Sequence, residues 1–282
     1  MKNILYLTRI IPDRIYLQLM YFKHFHKFID FKHPISFNEK LQYLKIFNRK
    51  PEYTQMVDKY LVKDYVAKKI GEKYIIPTLE KWNNVSEIDI SVLPEQFVLK
   101  CNNDSGGIVI CKSKKDFNEQ VAKTLLKKRL NNNGFWYGRE WPYKNMMPCI
   151  IAEKYLSNSS GKDLIDYKVH VFNGVPRFIL VCEDRYSAEG IKETFYTPEW
   201  KKMPVKRPNH NTSDQNMERP DELDEILELS KILAEQIPFL RVDFYILNHK
   251  VYFGELTFYP ASGFCGFNPN EWDQIFGTWL DI

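Results

Sequence analysis

The chain has 282 residues, 44% hydrophobic and 15% aromatic, enough to bury a sizeable core in one large lobe or two to three small ones. Its 40 Lys and Arg against 36 Asp and Glu leave a formal charge of +4, a balance too mild to argue for nucleic acid. Five scattered cysteines without a Cys-x-x-Cys pair read as reduced thiols of a cytoplasmic protein, and no apolar run is long enough to cross a bilayer.

The start, MKNILYLTRII, is apolar but short, and Asp13-Arg14 follow without a small-residue cleavage site, so it is not read as a signal peptide. The basic excess gathers in the first fifty residues. There Lys2, Arg9, Arg14, Lys23, Lys27, Lys32, Lys40, Lys45, Arg49 and Lys50 stand against Asp13, Asp30 and Glu39. Such a front end is either a solvated helix face or a surface for phosphates or anionic lipid. Positions 13–31 read as a helix with Ile15, Leu19, Phe22, Phe25 and Ile29 on its apolar face, ended by His33-Pro34. Ser36 with Glu39 makes a capping box that opens a helix to about Phe47. Pro51 begins a further helical stretch, carrying Lys59 and Lys63, which stops at Gly71.

A β-rich lobe follows. Tyr74–Leu79 and Gln96–Cys101 read as strands, and Ile108–Cys111 pairs with the second. Between them lies Asn102-Asn103-Asp104-Ser105-Gly106-Gly107, with Lys100 leading into it. Adjacent glycines and a serine let a loop fold its N–H groups around an anion; a plain hairpin turn is the other reading. Phe117–Asn131 is a helix with Val121, Leu125 and Leu126 on one face and Lys123, Lys127, Lys128 and Arg129 opposite. Phe135–Asn145 fits neither helix nor strand, and its aromatics with Arg139 and Glu140 suggest a binding wall or an ion pair under a loop. Ile150–Ala152 is a short strand leading into Glu153-Lys154-Tyr155-Leu156.

After a loop at Ser157–Lys162, Asp166-Tyr167-Lys168 leads into strands Val169–Asn173 and Arg177–Cys182, joined by an Asn173-Gly174 turn. The polar stretch Glu183–Asn216, with Arg185, Lys192, Lys201, Lys202, Lys206 and Arg207, reads as one long loop over the site. Asp221–Gln236 and Glu271–Leu280 read as amphipathic helices. Between these, Val242, Phe244 and Ile246 alternate with Asp243 and Tyr245, Asn248-His249-Lys250 breaks the run, and Val251 and Phe253 resume the alternation up to Glu255. Antiparallel pairing would bring Asp243 and Glu255 side by side. Two adjacent carboxylates repel and need a cation, and an oxygen-only set suits Mg²⁺ holding nucleotide phosphates; solvated acids on an ordinary hairpin are the other reading.

Taken together, HPISFNEKLQYLK, DKYLVKDYVAKKIG, FVLKCNNDSGG, YGREWPYKN with IIAEKYL, and RVDFYILNHKVYFGELTFYPASG resemble the ATP-grasp superfamily. More closely, the chain resembles the TupA-like ATP-grasp family found with bacterial polysaccharide biosynthesis, over nearly its whole length. The resemblance implies an α+β fold in which two α+β subdomains grip ATP, with a helical extension over 1–72, a small subdomain over 73–157 and a large one with the metal site over 158–282. It implies that Lys59, Lys63 and Lys100 hold ATP phosphates and that the backbone of Asp104, Ser105, Gly106 and Gly107 covers them. Glu153 would receive the adenine amino group, with Lys154, Tyr155 and Leu156 forming the hinge. Asp166, or else Asp163, would bind ribose, Lys168 a phosphate or substrate carboxylate, and Arg241 the transferred phosphoryl group. Asp243 and Glu255 would ligate Mg²⁺, with Thr257 standing where the superfamily often has Asn.

The implied chemistry is that of a ligase: ATP phosphorylates a carboxylate, and an amine displaces phosphate from the acyl phosphate. The expected partners are ATP, a sugar-acid acceptor and an amine donor, with no nucleic acid. A peripheral contact with the inner membrane or a lipid-linked glycan is also expected. A kinase with a hydroxyl acceptor, a glycosyltransferase and a non-catalytic binding module are the rival readings; the absence of an Asp-x-Asp pair weighs against the glycosyltransferase.

Overall fold

The computed structural model describes residues 8–104, 106–157, 164–184, 187, 190–213 and 216–282. Its contacts separate two compact units, Lys50–Leu156 and a second made of Met1–Arg49 with Ser157–Ile282. The stretch expected as one helical region over 1–72 is therefore shared between them. The reason is local bonding. The helix Phe37–Phe47 sends Lys40 Nζ to the carbonyls of Gly277 and Leu280, whereas Lys63 sends Nζ to Ile76 O and Thr78 Oγ1.

In the unit Lys50–Leu156, the single helix expected from Pro51 to Ile70 is two, Glu52–Val57 and Val62–Ile70. Asp58 breaks them apart. It is 3% exposed, and its Oδ1 accepts the N–H groups of Tyr60 and Leu61 at 2.8 and 3.1 Å. A short acidic side chain that caps its own following turn competes with the helix ladder. Strands β1 (Thr78–Trp82), β2 (Phe97–Cys101), β3 (Ile108–Cys111) and β4 (Ile150–Lys154) form an antiparallel sheet in the order β1-β4-β2-β3. The strand expected over Tyr74–Leu79 begins only at Thr78, because Glu72–Tyr74 closes a 3₁₀ turn after Gly71. Alternation assigns the two faces of this sheet. Phe97, Leu99, Cys101, Ile150 and Ala152 join Leu126 of the helix Glu119–Leu130 in an apolar core. Val121, expected on the inner face of that helix, is instead 63% exposed, and Ala122 and Leu126 turn inward. Phe135–Asn145 holds one helical turn, Phe135–Gly138, and a 3₁₀ turn, Trp141–Tyr143. Arg139 is fully buried there against the rings of Phe135 and Trp136, at 5.4 and 4.9 Å to their centroids.

The second unit carries β5 (Asp166–Phe172), β6 (Val175–Glu183), β7 (Lys192–Tyr196), β8 (Phe239–Leu247) and β9 (Lys250–Thr257). They form an antiparallel sheet in the order β7-β6-β5-β8-β9. Strand β7 lies inside the stretch read as one long loop. Its Glu193-Thr194-Phe195-Tyr196 are all buried, and Phe195 pairs with Leu180 of β6. One face of the sheet, with Val169, Val171, Ile179, Val181, Leu240, Val242 and Phe244, meets the helix Leu223–Leu233, whose Leu223, Ile226 and Leu233 are fully buried. The opposite face divides in two. At one end Phe172, Phe178 and Phe239 stack with Phe37 and Phe276 of the helices Phe37–Phe47 and Glu271–Thr278. At the other end the same alternation brings charged side chains together.

The helix read over 13–31 runs only from Asp13 to Phe25, because His26 turns left-handed (φ 57°, ψ 26°) and caps it. Its orientation also differs. Tyr16, Leu17 and Tyr21 are buried, while Ile15, Leu19 and Phe22 are 53%, 53% and 44% exposed.

Candidate active site

In the unit Lys50–Leu156 the candidate residues collect on the sheet face away from the Leu126 core. Register sets Glu153 opposite both Val98 and Thr78, and Lys100 opposite Ile151, so Glu153 and Lys100 share that face. Glu153 is 4% exposed and takes two ammonium groups, Lys63 Nζ at 2.6 Å and Lys100 Nζ at 2.5 Å. Burial pushes its carboxyl up, but Lys100 and Lys63 more than offset this and hold it below the usual carboxylate range. The two lysines expected at phosphates thus meet at the side chain expected at adenine.

The glycine loop is braced by Asp58 and Asn102, a pair that no local pattern singles out. Asn102 Nδ2 donates to Asp58 Oδ2 at 2.8 Å, and Cys149 N donates back to Asn102 Oδ1 at 2.8 Å. Lys59 Nζ donates to Asp104 O at 3.1 Å. The Asp104 carboxylate turns onto its own loop, accepting Gly106 N at 2.9 Å, and onto Arg129 Nη1 at 3.3 Å. An acid beside an anion loop is thereby neutralised. A Cβ on Gly107 would meet Arg129 Cβ at 3.0 Å and Cys101 Cβ and Sγ at 3.1 Å, so a side chain there needs these neighbours to give by a few tenths of an ångström. Ser105 lies outside the described residues. Beyond Glu153, Lys154 N donates to Pro77 O at 3.0 Å, and Tyr155 and Leu156 continue past the end of β4.

In the second unit, Asp166, Lys168, Arg241, Asp243, Glu255 and Thr257 share one face of the sheet. Asp243 sits directly opposite Glu255, Arg241 opposite Thr257, and Lys168 opposite Asp243. The Arg241 guanidinium spans both acids: Nε reaches Asp243 Oδ1 at 2.7 Å, and Nη2 reaches Asp243 Oδ2 at 2.7 Å and Glu255 Oε1 at 2.8 Å. Lys168 Nζ adds a contact to Asp243 Oδ2 at 2.5 Å and lies 3.7 Å from Asp166 Oδ1. Burial lowers Lys168, but Asp243, Asp166 and Glu255 together more than offset it and raise it, so the ammonium stays charged. Asp243 is 1% exposed, whereas the Glu255 side chain keeps 36% exposure. Asp163, the other ribose candidate, lies outside the described residues.

These groups can bind and orient anions, and nothing in them calls for a nucleophilic side chain. Among the described residues no set of three or more His, Cys, Asp or Glu gathers as a metal cluster. The donor set that does assemble is two carboxylates in register, whose chemistry fits a hard divalent cation with further ligands from elsewhere.

Sequence reasoning missed His170, two positions from Lys168 and opposite Arg241. It is stacked 4.1 Å from Phe178, and its Nδ1 is 3.0 Å from Lys168 O. Burial, with Arg241 adding to it, drives its pKa well below the usual imidazole value, so it is neutral. Also missed was the buried pair of Glu193 on β7 with Arg207, a two-pronged contact in which Arg207 Nε meets Glu193 Oε2 at 2.6 Å. No spacing rule links two charges 14 residues apart through a bent chain.

The family model described as TupA-like ATPgrasp matches residues 39–281, and the chain belongs to that family. None of the curated proteins matches it. Among solved structures it is similar to the D-alanine–D-alanine ligase from Bacillus anthracis complexed with ATP, at 15% identity and TM-score 0.44, covering 72% of this chain and 54% of that one. It is also similar to the D-alanine–D-alanine ligase from Helicobacter pylori, at 16% identity and TM-score 0.42, covering 87% and 69%. A RimK domain protein ATP-grasp from Sphaerobacter thermophilus gives 10% identity and TM-score 0.42, covering 81% and 69%. The chain thus spans about half the length of the Bacillus anthracis ligase it resembles.

Proposed function

We propose that the chain is an ATP-dependent carboxylate–amine ligase. The observation that carries this reading is the opposed pair Asp243 and Glu255 under Arg241 and Lys168, in a chain of the ATP-grasp family. ATP phosphorylates a carboxylate, giving an acyl phosphate and ADP; an amine then attacks the acyl carbon and phosphate leaves. No side chain is alkylated or acylated on this route, so the protein's work is alignment and charge neutralisation. Lys59, Lys63 and Lys100 bind phosphates, and the backbone of Asp104–Gly107 lies over them. Glu153 accepts from the adenine amino group, with Lys154, Tyr155 and Leu156 at the hinge and Asp166 at ribose. Arg241 meets the transferred phosphoryl oxygens with a planar fork, and Lys168 neutralises phosphate or substrate carboxylate. Mg²⁺, when bound, would be held by Asp243 and Glu255 with an oxygen from Thr257, and would supply charge neutralisation of the triphosphate.

The proposed acceptor is a uronic-acid-type sugar of a surface polysaccharide, and the donor an amino acid or other amine. Incubation of an ¹⁸O-carboxylate acceptor with ATP and amine is expected to move one label into inorganic phosphate as ADP forms. Label retained on a phosphorylated product would establish a kinase instead, and no ADP with any acceptor would leave only a binding module.

The proposed location is cytoplasmic, peripheral to the inner face of the membrane. No helix among the described residues is long and apolar enough to cross a membrane. Ile15, Leu19 and Phe22 point outward, Phe28 stacks on Phe22 at 4.8 Å while itself 62% exposed, and Lys23 and Lys27 are exposed beside them. An outward apolar stripe with flanking lysines suits an anionic lipid surface. Flotation with phosphatidylglycerol vesicles is expected to weaken as salt rises, and Leu19→Ser with Phe22→Ser should lower binding by about tenfold or more. Equal binding to neutral vesicles, or an unaffected double variant, would remove this location.

A further inference from the structure

Asp58 stands where one helix would otherwise run on. It is buried, and its backbone is extended (φ −74°, ψ 114°) between the helices Glu52–Val57 and Val62–Ile70. Breaking a helix forfeits ladder hydrogen bonds, and burying a carboxylate is costly unless donors meet it. Among the described residues three donors do, and none is a cation. Tyr60 N and Leu61 N reach Oδ1 at 2.8 and 3.1 Å, and Asn102 Nδ2 reaches Oδ2 at 2.8 Å. The first two bonds close the turn that Asp58 itself begins. The third goes to the entry of the glycine loop.

The Asn102 side chain is fully buried, and both of its polar atoms are used. Nδ2 also donates to Met147 O at 3.0 Å, and Oδ1 accepts Cys149 N at 2.8 Å. One amide thus ties together the turn before Val62–Ile70, the loop and the run 147–149 that enters β4. Its orientation is fixed too. Flipped, it would set oxygen against Asp58 Oδ2 and Met147 O, and N–H against Cys149 N, so one arrangement alone satisfies the site. In so dry a place a mismatch finds little relief from solvent.

The next residue in the chain connects this brace to the proposed chemistry. Lys59 follows Asp58 directly, and its Nζ donates to Asp104 O at 3.1 Å. Residues 58 and 59 therefore straddle the loop, one holding its entry at Asn102 and the other its middle at Asp104. Glu153 is tied separately, to Lys63 and Lys100. We infer that Asp58 is a positioning residue for phosphate binding: through Asn102 it sets the loop Asp104–Gly107 at the distance from Lys59 at which both reach one triphosphate. This rests on the proposed reading of Lys59 and the loop as phosphate ligands, and adds the buried group that keeps the two in step.

The experiment titrates the full chain calorimetrically with Mg-ATP and with adenosine, which reads the hinge without the phosphates. In Asp58→Asn, Oδ1 still caps Tyr60 and Leu61, but the new amide N–H faces Asn102 Nδ2, donor against donor. Mg-ATP affinity should fall about tenfold or more while adenosine affinity stays within about twofold. Asn102→Asp alone opposes two buried carboxylates and should lose at least as much. The exchange, Asp58→Asn with Asn102→Asp, reverses the bond instead of breaking it. It should bind Mg-ATP about tenfold better than either single variant, a coupling that a direct contact between the two positions produces. Should Asp58→Asn fail to fold, Asn102→Ala removes the contact from the loop side, leaves the Asp58 turn capped, and should show the same split between Mg-ATP and adenosine. Lys59→Met checks the reading underneath, and should itself weaken Mg-ATP about tenfold or more. If Lys59→Met leaves Mg-ATP affinity unchanged, the phosphate reading falls and the inference with it. If Lys59→Met weakens Mg-ATP but Asp58→Asn does not, or Asp58→Asn weakens Mg-ATP and adenosine alike, or the exchange binds no better than the single variants, the role of Asp58 alone is overturned.

Discussion

Glu255→Gln is expected to lower ADP formation by about two to three orders of magnitude while shifting stability by less than about 1 kcal/mol, and Asp243→Asn to lower both. The contrast follows from burial. The Glu255 side chain is 36% exposed, so its contact with Arg241 Nη2 is screened by water and its loss is tolerated. Asp243 is 1% exposed and balances two buried cations, accepting from Arg241 through both oxygens and from Lys168 at 2.5 Å. Its neutral amide leaves Arg241 and Lys168 with one anion too few, a defect that costs about 3 kcal/mol or more in a dry site. If the pair serves Mg-ATP, the two variants agree in activity despite differing in stability. If instead both acids only brace Arg241, activity should track stability, and Glu255→Gln should turn over at nearly the wild-type rate. Steady-state ADP release and thermal melts on the same preparations separate the two outcomes.

The hairpin carrying Asp243 and Glu255 was legible from alternation and a polar break, but the two-residue turn alone would set Asp243 opposite Gly254, and a register shift between Asp243 and Phe244, which no pattern announced, brings Glu255 there instead. Asn248 and His249 take φ of 51° and 57°, the left-handed pair a two-residue turn requires. The capping box at Ser36 and Glu39 was legible for the same reason, since its bonds join residues three apart. What failed depended on which neighbour a surface meets. The helix Asp13–Phe25 is apolar on more than one side, so periodicity located a stripe at Ile15, Leu19 and Phe22 but could not say that Leu17 and Tyr21 face the protein. Strand β7 was hidden in a polar stretch because only five residues pair, and its burial comes from β6 beside it. Asp58 and Asn102 scaffold the glycine loop across 44 residues of sequence, a partnership no local pattern carries. The lysines were found by their place ahead of a glycine loop and on a helix. That both converge on Glu153 needed the register of β4 against β2.

That convergence yields the second large effect, in the lysines around Glu153. Lys100→Met and Lys63→Met, each alone, leave the buried carboxylate with one ammonium, and each should cost about 1–2 kcal/mol of stability. The double variant strands a carboxylate that is 4% exposed, and the total cost should reach about 3–5 kcal/mol, above the sum of the two by a coupling that a double-mutant cycle reads directly. Adding Glu153→Gln to the double variant should return most of that stability, because a neutral amide no longer needs a cation there. The acid limb gives an independent check. Glu153 is held below the usual carboxylate range, so its contribution is present above the unfolded value near pH ~4.3 and is lost as pH falls through the lower folded one. Glu153→Gln should therefore flatten the stability profile in that window and leave it unaltered above. Nucleotide binding then separates function from packing. With phosphate charge as the lysines' second partner, Lys100→Met should weaken Mg-ATP by about 10²-fold, well beyond its effect on melting. A stability loss without that loss of affinity would make the cluster a structural ion pair and leave the phosphates to be held elsewhere.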